Sequence, residues 1–256
     1  MQTELDAAHA AMDAAPDDAT ARLRFYERLA DGEVFLLLDA APTDDRVSPD
    51  LFDVDGDSYA LVFDREARLA EFVGRPAPFV GMSGRALAAM LAGQGIGVAL
   101  NPDVAPSAML IPPDAVDWLA ATLAQGPAVM TARPVEVFAP RDLPDGLLKS
   151  LDRKLAAAGG LAQAVWLVGV KYGDGGRGHM LGFVGALPGA ETALAAAVGE
   201  ALVFSGIAAG MLDVTFLPGD DPIVGRLARV GLRFDLPEPV VPAAPGMDPD
   251  KPPKLR

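Results

Sequence analysis

The sequence predicts an α+β fold of two consecutive layered, α/β-sandwich-like domains, each a mixed sheet with packed helices. Three observations carry that expectation. Apolar runs of strand length alternate with longer segments of helical period. Gly, Asp and Pro turn signals separate them. The alternation then starts afresh after a Gln-Gly-Pro break at residues 125–127.

In chain order, the LDAAHAAM segment is followed by Pro16, Asp17 and Asp18, which stop one helix and cap the next. In ATARLRFYERLA, Leu23, Tyr26 and Leu29 recur on one face. EVFLLLD at residues 33–39 is a short, nearly unbroken apolar run, as in a strand covered on both sides. Asp55-Gly56 between alternating hydrophobics signals a tight hairpin. Asp64 is expected to cap REARLAEFV. FVGM, GVALN and SAMLIP read as strands, with SGRALAAMLAG a helix between the first two. Pro112 and Pro113 open the helix PDAVDWLAATLA.

The second set reads β-α-β-β-α-β-α. RPVEVFAP precedes a helix with Leu147, Leu148, Leu151 and Leu155 on one side. LAQAVWLVGVKY and HMLGFVGAL flank a glycine-rich hairpin loop at 173–178. An alanine-rich helix, the strand MLDVTFLP and a short helix capped by Asp221 follow. The expected domains are an N-terminal helical extension at 1–19, a first domain at 20–126 and a second at 133–236. A proline-rich tail at 237–256 has polyproline-II bias. Trp118 and Trp166 fall in periodic apolar segments and are expected in the core.

Charge narrows the function classes. With 21 basic and 35 acidic residues the net charge is −14, which repels nucleic-acid backbones and anionic membranes. The absence of cysteine excludes disulfides, thiol nucleophiles and thiolate metal sites. The acidic N-terminus does not read as a secretory signal, and no charge-free run reaches ~18 apolar residues. The expectation is a soluble, cytoplasmic protein.

The stretch FVGMSGRALAAMLAGQGIGVALNP holds the strongest motif-like signals. Ser83 sits at a strand-to-helix joint, but the hydrolase elbow G-x-S-x-G requires glycine where Arg85 stands, and His9 and His179 are the only histidines. Ser83 therefore reads as a helix cap. GQGIG follows a helix instead of opening one, so it reads as a C-terminal turn, not a phosphate loop. The Asp53–Asp64 acids miss the calcium-loop pattern, because Ser58 occupies the glycine position. No metal, cofactor or catalytic set emerges. What is left is the helix start, where Ser83, Gly84 and Arg85 combine N–H groups, a hydroxyl and a guanidinium at the positive dipole end.

ALVFDREARLAEF, the stretch just quoted and SAMLIPPDAVDWL resemble the N-terminal domain of the SseB family, the enhanced serine sensitivity proteins. The segments from PDGLLKSLDRKL to FLPGDDPIVGRLARVGLRF resemble that family's C-terminal domain, more weakly. The resemblance implies two domains and supplies no catalytic residues. The reading of the residues is a non-enzymatic binding or regulatory protein, with Ser83, Gly84, Arg85, Asn101 and Pro102 as the contact for an unknown protein or small anionic ligand. The alternative is an enzyme or metabolite sensor that takes a small anionic ligand in an interdomain cleft.

Overall fold

The structure, a computed structural model, describes residues 2–41, 47–124, 134–173, 175–206 and 212–237. The expected break after Ala124 and the tail beyond Pro237 lie outside the described residues.

The first half runs α1 (Glu4–Ala14), α2 (Ala19–Asp31), β1 (Glu33–Leu37), β2 (Leu51–Val54), β3 (Asp57–Phe63), α3 (Glu66–Val73), β4 (Phe79–Ser83), α4 (Gly84–Leu91), β5 (Ile96–Leu100), β6 (Met109–Ile111) and α5 (Pro113–Ala124). Thr3 and Asp6 form a capping box at the start of α1, and Asp18 caps α2. The Asp55-Gly56 hairpin is present: both residues have positive φ, 53° and 98°, and Val54 pairs with Asp57. The strand order is β4-β1-β3-β5-β6, with β2 sharing one edge of β3 with β1. Only β3 and β5 run parallel.

This sheet is covered on both faces. Val34, Leu36, Ala60, Val62, Val98 and Leu100 face a core built with Phe25, Leu29, Leu87 and Leu91 of the helices. Leu37, Leu61, Phe63 and Ala99 pack with Leu69 of α3 on the opposite side. Burial on both faces explains the uninterrupted apolar run of β1.

The second half runs β7 (Glu136–Phe138), α6 (Asp145–Ala156), β8 (Ala164–Lys171), β9 (Arg177–Val184), α7 (Glu191–Phe204), β10 (Leu212–Leu217), α8 (Val224–Val230) and β11 (Leu232–Phe234). The order is β10-β9-β8-β11, and β7 shares the edge of β8 with β11. The crossover through α7 makes β9 and β10 parallel. Helices α6 and α7 cover one face, and Leu227 of α8 packs on the other.

Three sequence expectations change. Trp118 is 40% exposed, edge-on to Tyr26 at 5.3 Å, because α5 buries Val116 and Leu119 instead. Arg65, not Asp64, occupies the cap position of α3, since both Asp64 oxygens are taken by Thr3 and Arg68. Asp221 accepts from the Ile223 N–H one turn before α8, which starts at Val224. The helical layers of the two halves face each other, and Phe204 at the end of α7 belongs to the first half's core.

Candidate functional site: a charged cleft between the halves

At the β4–α4 joint, the Ser83 hydroxyl accepts from the Ala86 N–H at 3.3 Å, as a helix cap does. The Gly84 N–H donates to the Gly32 carbonyl at 2.9 Å. A Cβ on Gly84 would lie 1.8 Å from the Leu29 carbonyl oxygen, so only glycine lets α4 start against the end of α2. Two of the backbone donors expected for an anion are thus already used. Replacing Ser83 with alanine should lower unfolding free energy by about 1 kcal/mol in denaturant titrations.

Arg85 reaches across to the second half. Its guanidinium donates to Glu200 Oε1 at 2.8 Å and Oε2 at 3.1 Å, and to Asp31 Oδ1 at 2.7 Å. Lys154 Nζ donates to the same two carboxylates, at 2.7 Å each. Lys154 and Glu200 are buried at 6% and 4% exposure, whereas the Arg85 side chain is 42% exposed. Burial alone would raise the Glu200 carboxyl, but hydrogen bonds and charge from Arg85 and Lys154 outweigh it and hold it below its usual range. The Glu200 hydrogen bonds likewise push the Arg85 guanidinium up. Nearby, buried Glu27 accepts from the Ser150 hydroxyl and, at 3.3 Å, from Arg153.

This quartet forms one wall of a cleft of about 850 Å³ between the halves. Five cations (Arg28, Arg65, Arg85, Arg153 and Lys154) and five acids (Glu4, Asp31, Glu33, Asp64 and Glu200) line it together with alanines just past α6 and on α7. In a chain of net charge −14, this equal balance makes the cleft formally neutral and less negative than the molecule as a whole. The cations differ in how firmly they are held. Arg28 meets the 84%-exposed Glu4 at 3.7 Å, and Arg153 has the single contact to Glu27. The Arg65 side chain makes no ion pair or hydrogen bond with any described residue.

Asn101 and Pro102 are elsewhere: neither lines the cleft. Asn101 is fully buried, with φ of 47°, at the end of β5. Its Oδ1 accepts from the Asp64 N–H at 3.0 Å, and its Nδ2 donates to the Ser107 hydroxyl at 2.9 Å. Ser107 donates in turn to Asp6 Oδ1 at 2.6 Å, and Asp6 holds Arg68 at 2.5 Å. The Asn101 amide therefore locks a corner and is out of reach of an external partner. Of the five residues expected at a contact, the cleft contains Arg85.

Sequence reasoning missed Asp31, Arg65, Lys154 and Glu200. Two had a signal. Glu200 is a lone charge in the apolar run LAAAVGEALVF, and Lys154 falls on the Leu147–Leu151 face at helical spacing. Neither histidine lines the cleft: the His9 ring packs edge-on to Phe25, and His179 Nε2 donates to the Arg141 carbonyl. Among the described residues no three His, Asp or Glu side chains group to hold a metal ion. No described helix is long and apolar enough to cross a membrane.

Residues 5–118 match the family model described as the SseB protein N-terminal domain. No curated protein and no solved structure matches the chain.

Proposed function

This chain belongs to the SseB family through its residues 5–118, and on that premise we propose that it is a binding protein whose site is the cleft between its halves, with a small anionic molecule as ligand. The observation that carries the reading is Arg65: a guanidinium at an 850 Å³ concavity, with all its N–H donors unused by described residues. Arg28 and Arg153, loosely paired, add donors on the same rim. The quartet is internally neutral and shapes the wall; the rim arginines receive the ligand. A carboxylate or phosphate matches their planar forks.

The cleft reads as a binding site and not a catalytic one, because Glu200, the buried acid of its wall, is held charged by Arg85 and Lys154 and does not stand free as a proton shuttle. A protein contact at Ser83 with Asn101 and Pro102 has less support, since the Ser83 hydroxyl and the Asn101 amide are already bonded.

Thermal unfolding in low-salt buffer with citrate, inorganic phosphate and short dicarboxylates tests the proposal. At a hundredfold excess over Kd a ligand adds about 2.7 kcal/mol. Wild type should gain Tm with at least one of these anions beyond matched sodium chloride, and Arg65→Ala should lose the gain while keeping its own Tm. If no anion exceeds the chloride control, the reading fails.

A further inference from the structure

A second concavity, of about 440 Å³, lies on the first half between α2 and α5, lined by Ala19, Arg22, Leu23, Tyr26, Ala115 and Trp118. It is apolar at its base and carries three donors at its edge. The Tyr26 hydroxyl, the Trp118 indole N–H and the Arg22 guanidinium make no hydrogen bond or ion pair with any described residue. Tyr26 and Trp118 stand at 68° to each other, which gives the groove two aromatic walls. Folding alone does not account for an exposed tryptophan beside a tyrosine with both polar tips free.

Apolar ridges with unbonded carbonyls at regular intervals are what such a groove accepts. A polyproline-II helix has that form, since it makes no internal hydrogen bonds and repeats every three residues. This chain contains one such sequence outside the described residues. Residues 238–245 read EPVVPAAP, with Pro239, Pro242 and Pro245 three apart, so a polyproline-II conformation would put all three on one face. Glu238 precedes them and is opposite in charge to Arg22.

We propose that the Tyr26–Trp118 groove is a docking site for residues 238–245 of a second copy of this chain. The prolines would lie against the exposed faces of the two rings, the donors would take the segment's carbonyls, and Glu238 would pair with Arg22. The anchor of the segment selects the second copy over the same one. The Pro237 carbonyl lies against Gly159, where a Cβ would be 2.4 Å away, just past the end of α6. α6 runs alongside α2 in the same direction, with Gly146 against Arg24, Ser150 against Glu27 and Lys154 against Asp31. Gly159 is therefore beyond the C-terminal end of α2, while the groove belongs to the first two turns. Nine residues of helix, about 14 Å, separate Arg22 from Asp31, and one residue step spans under ~4 Å. Within one copy that separation is several times one residue step, so the Glu238–Arg22 pairing favours a second copy.

Sedimentation velocity of the full chain over a wide concentration range tests this. Wild type should associate, and Trp118→Ala, or Pro239→Ala with Pro242→Ala, should weaken association at least tenfold while circular dichroism stays unchanged. Arg22→Glu should weaken it, and adding Glu238→Arg to that variant should restore it, which a purely structural role for Arg22 would not produce. A chain that stays monomeric, or association indifferent to Trp118→Ala, overturns the proposal. So does a synthetic 236–247 peptide that shifts Trp118 fluorescence in a chain that never self-associates, which would assign the groove to a proline-rich segment of another protein.

Discussion

Asp6→Ala is expected to lower unfolding free energy by about 3 kcal/mol or more, because it removes a fully buried anion from beneath a buried arginine. Asp6 accepts from Arg68 through both oxygens, from the Ser107 hydroxyl and from the Thr3 N–H. The substitution leaves Asp64 as the sole carboxylate facing Arg68 and frees the hydroxyl that orients Asn101. The loss should appear as a shift in denaturant midpoint at constant m-value. A loss below about 1 kcal/mol would mean that Asp64 alone neutralises Arg68.

The same carboxylate sets an acid limit. Burial pushes the Asp6 carboxyl up, but the hydrogen bonds from Arg68, Ser107 and Thr3 and the charge of Arg68 outweigh it and hold it well below its ordinary value of 3.8. A depressed folded-state pKa gives stability that is present in full above the unfolded value and is lost as pH falls through the folded one. Wild type should thus lose stability as pH falls below about 4, and Asp6→Asn, already weaker at neutral pH, should show a flatter slope in that window.

What the sequence made legible follows from what each signal depends on. The Asp55-Gly56 turn, the Asp18 cap and the apolar run of β1 depend on a few adjacent residues or on burial of a whole element, and period and turn chemistry report both. The SseB likeness rested on the same local patterns around Ser83. The cleft depends on which helices meet across the halves, and no local pattern encodes that Arg85 will find Glu200, 115 positions later. Gly84 illustrates the limit: as a motif it suggested an N–H donor open to a ligand, yet that N–H is bonded to the Gly32 carbonyl and the missing side chain is needed for the approach of Leu29. Asn101 misled for the opposite reason, since a polar residue at a strand end looks exposed until the buried Ser107–Asp6–Arg68 network is in view.

Glu200→Ala should be the most damaging change at the junction of the halves, at about 3–5 kcal/mol, because two cations then share Asp31 while Lys154 stays buried. Arg85→Ala should cost far less, at most about 1 kcal/mol, since that side chain is partly solvated and Lys154 still neutralises Glu200. The contrast separates the buried Lys154–Glu200 clamp from its partly solvated partner Arg85. The double variant Glu200→Leu with Lys154→Met removes one charge of each sign, leaves the Arg85–Asp31 pair balanced and puts an apolar side chain beside the Phe204 ring that Lys154 now faces. Its stability should return close to wild type, so the coupling energy in a double-mutant cycle with Glu200→Leu and Lys154→Met alone would nearly equal the sum of the two single-variant losses. If the double variant is as unstable as Glu200→Ala, the quartet acts through packing and not charge. If the halves then unfold in two separate transitions, Glu200 is what makes them cooperative, and the cleft walls owe their fixed spacing to it.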